Sequence, residues 1–130
     1  MQFLIDTHVL IWYLNGSNKL PVKIRELLND DGNEVVVSIV SLWELIIKTS
    51  KHNKHKLDID ITIEKIQNYI VEHEFILLNV SLKHLNTLQT LLHHHGDPFD
   101  RMIISQAITE GLTVISADQH FSSYPINVSW

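Results

Sequence analysis

The chain contains no cysteine. Disulfides, zinc–thiolate centres and thiol nucleophiles are thereby excluded, and the absence suits a reducing compartment. Nor does any apolar run approach the ~18–20 residues that a membrane-spanning helix requires. The longest candidates, residues 35–40 and 102–108, are interrupted by Ser38 and by Ser105 and Gln106. Met1 to Asp6 shows no basic segment ahead of an apolar stretch and no cleavage-site pattern, so the expectation is a soluble, cytoplasmic protein. Basic residues are scarce as well. Ten Lys and Arg stand against fifteen Asp and Glu, a formal charge of −5 with His neutral. A nucleic-acid partner normally leaves a basic footprint. Carboxylates gathered around a cation, however, read as negative in sequence and present a positive face once metallated. Nine histidines add charge below pH ~6.5.

What is present is ordinary globular material. With 130 residues, 45% of them hydrophobic, residues 1–130 read as a single domain with a packed core. Phe3-Leu4-Ile5 predicts a short buried strand that ends in Asp6. A helix follows over Thr7–Asn15, closed by Asn15-Gly16-Ser17. Pro21 fits the first turn of a second helix with Ile24, Leu27 and Leu28 at helical spacing. Val35-Val36-Val37 is β-branched and continuous, as in a buried strand, and leads into a helix beginning near Ser38. Residues 51–60 lack an apolar period and read as an exposed connection. Ile63, Ile66, Ile70 and Val71 mark another helix, Phe75–Val80 a strand, and Leu82 to about Leu92 a helix. His93-His94-His95-Gly96-Asp97-Pro98 breaks the pattern before a helix from Pro98 to Glu110, stopped by Gly111. Thr113–Ser116 is a further strand, and Ile126–Val128 an edge strand. Strands alternate with helices throughout, which implies an α/β fold: a mostly parallel central sheet flanked by helices on both faces.

Ligands of open parallel sheets bind beyond the carboxyl ends of the strands. Asp6 follows the first strand directly, and Asp118 comes two residues after Ser116. Glu44 lies about two turns into the helix that leaves Val35–Val37, while Asp97 and Asp100 open the Pro98 helix. Four distant segments can thus bring acids to one crevice. Each acid also has a structural reading. Asp6 and Asp97 suit helix N-caps, Asp100 suits the first turn of a helix dipole, Glu44 can pair with Lys48 one turn on, and Asp118 can open a turn. Glu44 stands out, because it sits among Leu42, Trp43, Leu45, Ile46 and Ile47, and a buried carboxylate needs a partner or a cation.

Crowded carboxylates are costly without a cation. Mg2+ or Mn2+ would satisfy them, since hard cations take oxygen ligands. The chemistry that fits is phosphodiester hydrolysis: one ion lowers the pKa of its bound water, and a second ~3.5–4 Å away stabilises the leaving oxygen.

Five segments, Leu4-Ile5-Asp6-Thr7-His8, Ser41-Leu42-Trp43-Glu44, Asp97-Pro98-Phe99-Asp100-Arg101, Ser105-Gln106-Ala107 and Ser116-Ala117-Asp118, occur in an order that resembles the PIN-domain nucleases. The resemblance is to the toxin component of VapBC-type toxin–antitoxin systems and spans residues 4 to 118. It implies a PIN fold, a metal-dependent endoribonuclease site, an RNA substrate, a cognate antitoxin protein and a homodimer. Asp6, Glu44 and Asp100 then resemble the core metal-binding acids, and Asp118 the fourth, which in this family often acts through water. Asp97 reads as the helix cap beside them. Thr7 and Ser116 resemble the small hydroxyl residues that support the site.

Other residues carry both functional and structural readings. Lys48, Lys51, Lys54 and Lys56 form a basic stretch able to meet RNA phosphates or simply to be solvated. Arg101 suits a role steadying Asp100 or gripping a phosphate, or else a surface ion pair. Three adjacent histidines on a loop rarely converge on one ion, so 93–95 reads as no transition-metal site. Trp12, Trp43 and Trp130 suit core or interface anchors. Two rival functions are a PIN-like scaffold that binds RNA or protein without cutting and a receiver-like phosphoacceptor. The latter expects paired acids after the first strand and an acid where Ser38 and Ser41 stand.

Overall fold

The computed structural model describes residues 1–50 and 62–130. In chain order the elements are β1 (Gln2–Ile5), α1 (Thr7–Leu14), α2 (Val22–Asn29), β2 (Glu34–Ser38), α3 (Ile39–Thr49), α4 (Ile63–Glu72), β3 (Ile76–Leu78), α5 (Leu82–Thr90), α6 (Pro98–Glu110), β4 (Thr113–Ile115) and β5 (Val128–Ser129). A 3₁₀ turn, Gln119–Ser123, separates the last two strands. The expected exposed connection at 51–60 lies outside the described residues.

The five strands form one sheet in the order β3-β2-β1-β4-β5, and every pairing is parallel. Short runs such as Phe3-Leu4-Ile5 and Val35-Val36-Val37 lack polar alternation because both of their faces are covered. Successive side chains divide between two cores. Phe3, Ile5, Val35, Val37 and Ile115 pack with Leu10, Ile24, Ile66 and Ile70 of α1, α2 and α4. Leu4, Val36 and Val114 pack on the opposite face with Ile103, Ile104 and Ala107 of α6 and with Phe121. The expected parallel α/β architecture is therefore the observed one.

The differences lie at element ends. β3 has three residues where six were expected, because its register with β2 runs only from Val36↔Ile76 to Ser38↔Leu78, where β2 gives way to α3. α5 stops at Thr90, and β5 begins at Val128 rather than Ile126. Pro21 takes the N-cap position of α2, one residue before its first turn. Only Ile66 and Ile70 of the predicted α4 apolar set are buried; Ile63 and Val71 face outward. Gly111, with φ of +66°, closes α6 in the left-handed conformation that glycine adopts without steric cost. Among the described residues no helix is long and apolar enough to cross a membrane.

The strand order reverses beside β1. The chain proceeds outward from β1 to β2 and β3, then returns to lay β4 against the other edge of β1. The carboxyl ends of β1 and β4 therefore flank the crevice where such sheets bind ligands.

Candidate metal centre

Asp6 is the residue immediately after β1, and its backbone N–H donates to the Ile115 carbonyl at 3.1 Å. Its side chain is 3% exposed. Oδ1 accepts the Val9 N–H at 2.8 Å, capping α1, and Oδ2 accepts the Ser116 hydroxyl at 2.5 Å. The cap reading of Asp6 is thus realised, by a carboxylate whose other oxygen takes the Ser116 bond. Burial pushes its pKa upward against the opposing bonds from Ser116 and Val9. Ser116 Oγ in turn accepts the Asp118 N–H at 3.0 Å, so a single hydroxyl couples two acids. Thr7, also buried, donates to the Ser41 hydroxyl at 3.0 Å and ties α1 to α3.

Helix α3 buries two polar side chains together with Val40, Leu42 and Leu45. Trp43, Ile46 and Ile47 are exposed, whereas Ser41 and Glu44 are buried. Trp43 stacks edge-on against Phe99 at 4.9 Å rather than entering the core, while Trp12 and Trp130 pack against a core cluster. Glu44 Oε2 meets Lys48 Nζ at 2.5 Å, with the Glu44 side chain 2% and the Lys48 side chain 29% exposed. Among the described residues Glu44 Oε1 is buried without a hydrogen-bond partner. An unpaired carboxylate oxygen in so dry a place is costly unless a cation completes it.

Asp100, in the first turn of α6, has its pKa pushed up to about 7. Burial is the largest cause, and repulsion from Asp97, Glu44 and Asp6 adds to it, with His95 opposing. Asp97 serves as the α6 N-cap, its Oδ1 accepting the N–H groups of Phe99 at 2.8 Å and Asp100 at 3.1 Å. Asp118 is shifted the other way. Burial raises its pKa, but bonds from the His120 backbone and ring, together with His95, outweigh burial and bring it below the usual value.

Two histidines escaped the sequence reading. His95 Nε2 lies 3.0 Å from Asp100 Oδ2 and 2.9 Å from Asp118 Oδ2, and His120 Nδ1 lies 2.8 Å from Asp118 Oδ1. His95, Asp118 and His120 place ligand-type atoms within 4.8 Å of one another, so one histidine of the 93–95 run does reach the site. The available signal was proximity in sequence: position 95 is two residues before the α6 cap, and position 120 two residues after an acid.

Arg101 corrects another expectation. It is 8% exposed and donates to the carbonyls of Leu92 at 2.8 Å and Leu91 at 3.3 Å and to the Tyr124 hydroxyl at 3.2 Å. A buried guanidinium facing carbonyls is neither a surface ion pair nor a phosphate grip. It holds the loop before α6 from behind. Lys48 stands at the rim beside Glu44, whereas Lys51, Lys54 and Lys56 lie outside the described residues.

Asp6, Glu44, Asp100 and Asp118 thus gather at the carboxyl edge of the sheet, where the Asp6, Glu44 and Asp97 charges all act on Asp100. An oxygen-rich, sulfur-free donor set with one orphaned carboxylate oxygen fits a hard divalent cation. The chain matches the family model of the PIN domain over residues 3–127. Among solved structures it resembles DNA-bound VapBC from Salmonella typhimurium, at 22% identity and a TM-score of 0.73, covering 99% of this chain and 97% of that one. It resembles VapBC2 from Rickettsia felis bound to a promoter DNA fragment at 20% identity and a TM-score of 0.71, covering 100% and 99%. FitAcB from Neisseria gonorrhoeae is similar at 18% identity and a TM-score of 0.65, covering 97% and 95%. At these identities the likeness establishes the fold. No curated protein matches the chain.

Proposed function

The chain belongs to the PIN domain family, and from that premise we propose that it is a single-domain, divalent-metal-dependent endoribonuclease, the toxin of a toxin–antitoxin pair. The observation that carries the reading is Glu44 Oε1, buried and without a hydrogen-bond partner among the described residues, in a site where burial and the charges of Asp97, Glu44 and Asp6 push the Asp100 pKa up. Acids in that state favour either protons or a cation, and phosphodiester hydrolysis is the chemistry that uses the cation.

Asp6, Glu44 and Asp100 hold the metal, with Asp118 as a fourth acid acting directly or through water. When bound, one or two Mg2+ or Mn2+ ions supply a water of lowered pKa and charge to offset the scissile phosphate. The protein's own part is to fix the acids. Ser116 keeps Asp6 and Asp118 together, and Thr7 with Ser41 sets the approach of α3, on which Glu44 rides. Lys48, at the rim beside Glu44, supplies positive charge for RNA phosphates, and Lys51, Lys54 and Lys56, which follow it in sequence, add basic charge for the same role.

The solved relatives are VapBC assemblies, which supports an antitoxin partner for this chain, and a homodimer is the assembly proposed for it. Exposed Trp43, Ile46 and Ile47 on α3, next to Phe99, give apolar anchors of the kind that protein partners cover. A cytoplasmic location accords with these roles.

The test is cleavage of single-stranded and structured RNA by the purified chain with Mg2+, with Mn2+ and with EDTA. Cleavage that requires the metal and disappears in Asp6→Asn is the expected result. Cleavage that persists in EDTA, or in folded Asp6→Asn, overturns the assignment.

A further inference from the structure

Resting on that metal-centre reading, we propose that His95 is a positioning residue that sets the cation affinity of the site by bringing Asp100 and Asp118 together at a single ring nitrogen. The geometry fixes which ring nitrogen does this. Nδ1 accepts the Asp97 backbone N–H at 3.2 Å, which leaves the proton of the neutral ring on Nε2. That N–H is hydrogen-bonded to Asp118 Oδ2 at 2.9 Å, and Asp100 Oδ2 lies 3.0 Å from the same nitrogen. The ring therefore meets the acids as a donor and not as a lone-pair ligand. Carboxylates that hold metals are commonly oriented by such outer hydrogen bonds.

The bridge joins two acids with little else in common. Asp100 rides on α6, and Asp118 sits in the turn after β4, half-exposed and held on its other oxygen by His120. Without His95 nothing on the α6 side engages the Asp118 side chain. Their separation would then depend on backbone placement alone.

The placement of His95 does not depend on its own side chain alone. The backbone N–H groups of His94 and His95 both donate to the Tyr124 hydroxyl at 2.9 Å, and Arg101 donates to that same oxygen and to the Leu91 and Leu92 carbonyls. The buried Arg101–Tyr124 pair is an anchor for the loop, and the imidazole is its working end. Removing the ring forfeits the Asp97 N–H contact but leaves these backbone and Arg101 bonds, and unfolding temperatures read whether the loop holds.

The experiment is Mn2+ binding to the intact chain, read as the free-ion signal in electron paramagnetic resonance, for the wild type, His95→Ala and His95→Gln. The Gln amide N–H2 reaches about as far as imidazole Nε2 and restores the donor. The expected result is a Kd raised roughly 10–100-fold in His95→Ala, with most of that loss recovered in His95→Gln and with unfolding temperatures in EDTA close to wild type. Equal or tighter Mn2+ binding by His95→Ala overturns the proposal, as does a loss that His95→Gln does not recover. A wild-type chain that binds no Mn2+ overturns the metal-centre reading itself, and this inference with it.

Discussion

The hydroxyl of Ser116 donates to Asp6 across a sequence separation of 110 residues, at 2.5 Å. That bond links the residue after β4 to the residue after β1, at the reversal of the strand order. Ser116 also accepts the Asp118 N–H. Ser116→Ala removes both contacts from a buried place. The expectation is a stability loss of about 1–3 kcal/mol together with weakened RNA cleavage, measured by denaturant titration and by initial rates. Unchanged values for both would show that the hydroxyl is dispensable.

Asp6→Asn separates folding from activity. The amide oxygen can still accept the Val9 N–H that caps α1, and a neutral group removes the desolvation that raises the Asp6 pKa. In EDTA the variant should unfold at or above the wild-type temperature while cleaving no RNA. A marked loss of thermal stability would mean that the carboxylate charge itself holds the fold.

Asp100 gives the site a pH signature. Its folded pKa, about 7, lies above the ordinary carboxylate value of 3.8, so between those limits the folded state binds more protons than the unfolded one. Stability from this group is fully present below pH ~4 and is lost as pH rises through about 7. In EDTA the wild type should therefore lose stability relative to Asp100→Asn over that window. Saturating Mg2+ should offset the loss at neutral pH, because binding to the native state alone is stabilising. Melting curves of both proteins from pH 4 to 8 decide it; parallel profiles would refute the crowded-acid account.

Arg101→Met leaves the carbonyls of Leu91 and Leu92 and the Tyr124 hydroxyl without their shared donor. The expected cost is about 3 kcal/mol, roughly 10 °C in Tm, with Mn2+ affinity falling as the loop loosens. A variant with wild-type Tm would show that the guanidinium is not the anchor.

Much of this was readable without coordinates, and what was not has a physical explanation. Asp6, Asp100 and Asp118 were legible because each stands at a strand end or helix start, and a parallel α/β order sends those ends to one edge. Glu44 was legible as an acid out of place, although the sense in which it is out of place is sharper than composition suggests. The helix turns its polar stripe inward and leaves Trp43 and Ile46 outside. Periodicity shows that a helix has two faces and does not say which of them a metal site will claim. The contacts of Arg101 and the reach of His95 were not legible: a helix position places Arg101 on α6 and does not say that it turns back onto Leu91 and Leu92. A loop has no period, and reach in space from residue 95 to residue 118 depends on where Tyr124 anchors the turn. The short β3 followed from β2 ending early, a property of the partner strand rather than of its own sequence.

The middle position of β1 also bears on synthesis. β1 is the first strand made, yet one of its edges stays open until β4, more than a hundred residues later, docks in register with Phe3–Ile5. Contacts of such separation form late and slowly. Asp6 has no Ser116 to hold it, and Asp100 no Asp118 to face, until β4 pairs with β1. On the proposed function, the acids form a complete set only after β4 has paired, so activity should follow the long-range pairing rather than the first-made elements.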